Sequence, residues 1–149
     1  MISSILKTDT QDIGSLIARI TAGVVMLPHG LQKLAGMFGG YGFSATLDFF
    51  ASIGIPKLIG FLIISAESIG AVMLIIGLLG RFSAASLTII MLGAIFMAHL
   101  PNGFFMNWFG NQKGEGFEFH ILMIGLLLIV ALKGSGRWSV DKLLLDKLK

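Results

Sequence analysis

Four apolar runs, at residues 13 to 35, 57 to 79, 82 to 100 and 117 to 133, occupy more than half of the 149 residues. At a rise of about 1.5 Å per residue, each is long enough, or nearly so, to cross a hydrocarbon core of about 30 Å as a helix. In hydrocarbon every backbone N–H and C=O must be satisfied by the chain itself, so such runs become helices rather than open sheets. The expected fold class is all-α: an integral membrane four-helix bundle with short interfacial helices, in one domain spanning 1–149. Charged residues make up 13% of the chain, against about 25% in a soluble domain.

The connections are unequal. "LLGR" at 78 to 81 is all that separates the second run from the third, which makes those helices antiparallel neighbours. The other two connections, 36 to 56 and 101 to 116, are long. "SATLDFFASIGIP" at 44 to 56 reads as one or two helical turns lying on the membrane, with Ser44 as N-cap and Gly54 and Pro56 as the stop. "NGFFMNWFGNQKGEGFEF" at 102 to 119 interleaves aromatics with glycines and amides, as headgroup-level segments do. The tail "RWSVDKLLLDKLK" places Trp138 as an interface anchor and Ser139 as the cap of a surface helix. Asp9 and Asp12 precede the first run, which lacks a small-residue cleavage site and reads as a retained span rather than a signal peptide.

Basic residues set the expected orientation. Lys7, Arg81, Lys133, Arg137, Lys142, Lys147 and Lys149 fall on the side that holds both termini, whereas Lys57 and Lys113 fall opposite, with Lys33 near that boundary. The positive-inside rule then gives a multi-pass protein of the bacterial inner (cytoplasmic) membrane, both termini cytoplasmic. The net charge of +3 is spread along the chain, which excludes a nucleic-acid partner. Zero cysteines exclude a disulfide framework, a thiolate metal site and a dithiol relay within this chain.

Ionisable residues inside spans need explaining, because each costs at least about 2.5 kcal/mol at the bilayer centre unless it faces a partner. Arg19, Met26, His29 and Lys33 share one face of the first helix. Arg19 and Glu67 are expected to pair across the bundle, with Ser65 or Ser68 completing the hydrogen bonds; the alternative role for that pair is purely to fix helix register. His29, Lys33, His99 and Glu118 converge on one level near the outer face and are the candidate catalytic residues, with Arg19, Glu67 and His120 as candidate cofactor contacts. Glu118 and His120 are about 200° apart on a helix and cannot both point inward, and Glu118 is preferred. The plainer readings are that Lys33 snorkels, His29 bonds a backbone carbonyl and His99 is solvated at a helix end. No metal site is expected, since the three histidines lack a same-helix i, i+4 spacing.

These residues also form an ordered set. Arg19, "HGLQKLAG", "FFASIGIP", Glu67 followed by Gly70, Gly77 and Arg81, Ala98 with His99, "GFEFHIL" and "GSGRWSVDKLL" resemble the DoxX family of small four-span bacterial membrane proteins over nearly the whole chain. The resemblance implies a link to membrane subunits of a thiosulfate:quinone oxidoreductase and, more distantly, to four-helix vitamin K epoxide reductase and disulfide-forming enzymes. The missing cysteines remove the dithiol chemistry of the latter. Two functions follow as expectations. One is a quinone-handling redox protein, taking electrons from an extracytoplasmic redox partner. The other is a non-catalytic membrane subunit or scaffold, in which Gly14, Ala18, Ala22, Gly23, Gly70, Ala71 and Gly77 pack helices within the bundle or in a homo-oligomer. Transport is less favoured, because no discontinuous-helix pair is evident.

Overall fold

The computed structural model describes residues 2–147, among which the regular structure is entirely helical; Lys149 lies outside them. In chain order the helices are α1 (Ile2–Leu6), α2 (Ile13–Ala35), α3 (Phe43–Ser52), α4 (Lys57–Ile76), α5 (Gly80–Asn102), α6 (Glu118–Lys133) and α7 (Val140–Lys147). Three of them, α2, α4 and α5, are long and apolar enough to cross a membrane. The sixteen-residue α6 packs along both α2 and α5.

One apolar cluster runs through the centre. Ala18, Ala22 and Met26 enter it from α2, Ala71 and Leu74 from α4, Ala84, Leu87 and Met91 from α5, and Met123, Leu127 and Val130 from α6. Steps of three and four residues keep each set on one helical face. The opposite faces carry Ile17, Val24, Ile89, Leu122 and Leu132, all exposed, as expected of surfaces solvated by lipid. Between apolar helices in lipid there is little hydrophobic drive, so close backbone approach supplies the attraction. A Cβ added at Gly23 would stand 2.9 Å from the Ala71 carbonyl, so this small residue serves packing between α2 and α4.

The turn between α4 and α5 is tight, as its sequence requires: Gly77 and Leu79 both adopt positive φ, at 70° and 48°. The amphipathic α3 starts one residue before Ser44. Gly42 occupies the cap position and makes no side-chain cap bond, so Ser44 lies within the helix instead of capping it. The stop falls where expected, with α3 ending at Ser52 and Gly54 at φ 87°.

Arg19 does not meet Glu67. It is 1% exposed, and its guanidinium is taken up at the opposite end of the bundle from Glu67's partner. Nε donates to the Ser135 carbonyl (2.7 Å), Nη1 to the carbonyls of Leu74 (3.0 Å) and Ile75, and Nη2 to those of Arg137 (3.1 Å) and Trp138 (2.7 Å). Five N–H donors meet five acceptors, the full capacity of the group. The physical reason is that the last carbonyls of α4 are short of backbone donors, Leu74 keeping only Gly77 N at 3.1 Å and Ile75 none, and a cation is favoured at that end of the helix dipole. Arg81 does the same for α6, with Nη1 bonding the carbonyls of Ala131 (2.8 Å) and Leu132 (2.6 Å).

The "GSGRWSVD" segment completes this end. Asp141, 1% exposed, accepts from the N–H groups of Leu79 (2.6 Å) and Gly80 (3.0 Å) and from Ser135 Oγ (2.5 Å), which ties the start of α5 to α7. Ser139 caps α7, accepting from Lys142 N at 3.3 Å. Its Oγ also donates to the Gly136 carbonyl at 3.0 Å. Gly136 N donates to Thr8 Oγ1 (2.6 Å) and Arg137 N to the Asp12 carbonyl (3.1 Å), so both terminal segments meet here.

Asp12 supplies a measurable pH dependence. It caps α2, accepting from Ser15 N (3.0 Å) and Ser15 Oγ (2.9 Å), with Lys133 Nζ at 3.3 Å. The Ser15 bonds, backbone first, and then Lys133 hold its carboxyl below the ordinary value of 3.8. A depressed carboxylate contributes stability that is complete above its unfolded pKa and is lost as pH falls through the lower folded value. Asp12→Asn, which can still cap, is expected to flatten the acid limb of a thermal-unfolding profile below about pH 4. Asp12→Ala should in addition cost about 1 kcal/mol at neutral pH. An unchanged acid limb in Asp12→Asn would show that other carboxylates dominate it.

Candidate functional site at the end of the bundle away from the termini

Two departures from regular α-helix shape the end away from the termini. Ala66–Gly70 in α4 and Ile95–His99 in α5 each form one turn of π-helix. Such a turn accommodates an extra residue, re-aims the side chains around it and occurs often at functional sites. Glu67 lies in the first and His99 in the second.

Glu67 faces α2, buried to 5% exposure. Gly30 lets α2 come down onto it: a Cβ there would lie 2.5 Å from Ser68 N and closer still to the Glu67 carbonyl. One turn further along α2, Lys33 Nζ lies 2.5 Å from Glu67 Oε2. The approach is off the hydrogen-bonding direction, leaving that oxygen ion-paired but without a directed hydrogen bond among the described residues. The intramembrane carboxylate thus has Lys33 as its cation, where the sequence expectation was Arg19. Lys33 starts nearer and reaches it without unwinding the α4 terminus. Ser68 contributes nothing to the pair, since its Oγ donates to the Ile64 carbonyl at 2.6 Å.

His99 and His120 meet across α5 and α6, their ring centroids 4.1 Å apart. His99 Nδ1 is 2.9 Å from the Glu115 carbonyl, so Nδ1 carries a proton and donates, which leaves Nε2 without a partner among the described residues. His120 is 7% exposed, and its Nδ1 has no partner among the described residues. The Phe119 ring stands between His120 (5.5 Å) and His29 (6.2 Å), with His29 itself exposed. A row of polar side chains therefore crosses the bundle: Glu67 and Lys33, then His29, and across Phe119 the His120 and His99 pair.

Glu118 turns away from this row. Its Oε1 accepts from Met106 N (3.0 Å) and Trp108 Nε1 (3.2 Å), and Glu115 Oε2 accepts from Asn107 N (2.6 Å). The two carboxylates organise the 103 to 117 loop, whose strand-like hydrogen bonds join Gly116 N to the Phe105 carbonyl and Glu118 N to that of Phe104. Glu118 and His120 do face apart, but it is the histidine that points inward. A carboxylate at a helix start finds free backbone donors in the adjoining loop, and an imidazole does not need them. No trio of His, Cys, Asp or Glu stands within reach of a shared metal ion among the described residues. Three sizeable cavities stand out, and none is lined by the row. Gly30, Asp141 and Ser135 escaped the sequence reading. "HG" and "GSG" were visible, but not what their missing side chains make room for.

A helical bundle coated with exposed apolar side chains, holding an ion pair and a histidine pair within it, defines an integral membrane protein. Residues 14–100 match the DoxX family. The chain is 32% identical over 87% of its length, and 86% of the relative's, to CatD of Bacillus subtilis, which is provisionally named an oxidoreductase. It is 26% identical to the inner membrane protein YqjF of Escherichia coli over 92% of the chain and 96% of that protein. An uncharacterized membrane protein of Mycobacterium tuberculosis, Rv3486, is 30% identical over 83% of this chain and 77% of its own. No solved structure matches. The chain belongs to the DoxX family.

Proposed function

We propose that this protein is the membrane-embedded component of a redox system and that its outer polar row hydrogen-bonds the head group of a quinone. The observation that carries the reading is His120, buried against His99 with an unpaired ring nitrogen. A buried polar atom without a partner is costly unless function retains it. Quinone carbonyls need donors and quinol hydroxyls need acceptors. A His120 Nδ1–H or the Lys33 ammonium would serve the former, and His99 Nε2 the latter. The oxidoreductase name of CatD agrees with the same class.

Reduction of a quinone to a quinol takes two electrons and two protons. The chain has no cysteine and no flavin or nicotinamide fingerprint. We therefore assign the electrons to an extracytoplasmic partner, and to this chain's histidines and Lys33 the holding and hydrogen bonding of protons. The topology proposed with it is four spans, α6 being the fourth, in the inner membrane with both termini cytoplasmic. Lys7, Arg81, Lys133 and Arg137 support it, since their contacts gather them at the end where the termini meet.

The test is a quinone titration of purified protein in nanodiscs, read by thermal shift, beside a quinone assay of the native lipid extract. Wild type is expected to bind a short-tailed quinone. His120→Phe and His99→Phe should bind it about tenfold more weakly, the effect of one lost hydrogen bond in a dry site. His120→Phe should destabilise the quinone-free protein by no more than about 1.5 kcal/mol, the usual bound for a volume-conserving core change, and His99→Phe by about 1 kcal/mol more for its lost bond to the Glu115 carbonyl. No quinone in the extract together with no thermal shift would remove the reading.

A further inference from the structure

At the opposite end, where both termini meet, a cavity of about 520 Å³ opens between the end of α4 and the start of α7. We propose that it binds the head group of an anionic phospholipid. The argument rests on charge, depth and shape, and is independent of the quinone reading.

Arg137 and Lys142 supply two positive charges to the lining, which contains no acidic residue. Among the described residues neither side chain makes a hydrogen bond or an ion pair. Arg137 rests over the Trp138 ring, with Cζ 4.7 Å from its centroid. The nearby carboxylates are directed elsewhere. Asp141 is saturated by Leu79 N, Gly80 N and Ser135 Oγ, and Asp9 accepts from Gln11 N at 2.9 Å. Asp146, one helical turn beyond Lys142, forms no ion pair with it. Thr10 adds a hydroxyl to the lining.

The remaining lining fixes the occupant. Ile76 ends the α4 span, Leu143 is 61% exposed and Trp138 is 73% exposed. Apolar side chains, two cations and an exposed tryptophan in one lining match a molecule that has acyl chains and a phosphate. A free anion would gain nothing from the apolar half. The backbone is also built for this presentation. Trp138 has φ 53°, and that conformation is held by Arg19 bonding the carbonyls of both Arg137 and Trp138. The buried arginine thus sets the geometry of the cationic rim without touching the lipid.

The chain has two tryptophans, so Trp108→Phe leaves Trp138 as the sole tryptophan, whose emission can be excited apart from that of Tyr41. In that background, bilayers of phosphatidylcholine would be doped with either brominated phosphatidylglycerol or brominated phosphatidylcholine, and Trp138 quenching compared. At low salt the phosphatidylglycerol is expected to quench at a tens-fold lower mole fraction. Arg137→Gln and Lys142→Gln should each reduce that preference about fivefold, and the double variant or 1 M salt should bring it near unity. Neither side chain makes a hydrogen bond or an ion pair among the described residues, and Arg137 only rests over the Trp138 ring, so these variants should keep the wild-type helical circular dichroism. If either fails to fold, the head-group and salt comparisons on the parent protein still decide. Equal quenching by the two brominated lipids would overturn the proposal. So would a preference unaltered in the double variant, or one abolished by millimolar inorganic phosphate, which would reveal a simple anion site.

Discussion

Arg19→Met is expected to leave no folded protein. Methionine keeps much of the volume, so the loss is electrostatic: the carbonyls of Leu74, Ile75, Ser135, Arg137 and Trp138 would all lose their guanidinium donor. A buried acceptor left unpaired costs about 1–3 kcal/mol. The Leu74 carbonyl keeps Gly77 N, so four acceptors lose their only donor, and even with some rescue by water from the nearby interface a total of about 4 kcal/mol remains. That is a large part of the roughly 5–15 kcal/mol by which domains are stable. Arg19→Lys is also expected to be severely destabilising. An ammonium offers three donors from one point and cannot span acceptors on two chain segments as the planar fork does. The measurement is membrane yield together with a detergent-denaturant titration followed by circular dichroism. A wild-type midpoint in Arg19→Met would mean that the clamp is not what joins α4 to the "GSGRW" segment.

Gly30→Ala carries the second largest expected effect, and it reads out at the candidate site. The added methyl would overlap the backbone of Glu67 and Ser68, which cannot swing away as a flexible side chain could. Overpacking of this kind costs about 1–3 kcal/mol, and here it also pushes α2 off the π-turn that presents Glu67. Lys33 would then lose its 2.5 Å approach to Glu67 Oε2, leaving a buried carboxylate unpaired. We expect about 3 kcal/mol in all, at the upper end of the overpacking range. Glu67→Gln in the Gly30→Ala background should recover part of it, since a neutral amide needs no counter-ion. Gly125→Ala is the control: its Cβ meets nothing within 4 Å, so that variant should be neutral. Equal stability of Gly30→Ala and wild type would show that α2 and α4 do not approach as closely as described.

The candidate site was partly legible, for reasons that differ by residue. Lys33 and Glu67 stood out because charges in apolar runs always ask for partners, but the choice of partner did not follow from depth alone. Arg19 and Lys33 both reach Glu67 on a helical ruler. What separates them is that Arg19 has five backbone carbonyls beside it, of which only that of Leu74 has another donor, Gly77 N, and they are supplied by segments 55 to 119 residues away in sequence. Glu118 and His120 show the same limit. Their angular separation was readable, whereas the side facing inward depended on the loop N–H groups of Met106 and Asn107, which capture Glu118 and Glu115. Asp141 looked like one more charge on a surface helix, yet it is nearly fully buried because it serves the start of α5 from a distance.

What the amino-acid order determined alone is the set of properties that depend on neighbours along the chain. Apolar length made the helices, glycine and proline set the stop at 54 and 56, and the step of three or four placed alanines and methionines on inward faces. In hydrocarbon, backbone hydrogen bonding leaves a chain of this kind no other regular structure. What only the tertiary structure decided is which polar group meets which. Every such group has several geometrically reachable partners, and the winner is set by desolvation and by unpaired backbone atoms that other helices bring alongside. Arg19 bound to carbonyls, Lys33 bound to Glu67 and His120 set against His99 are the outcomes of that competition.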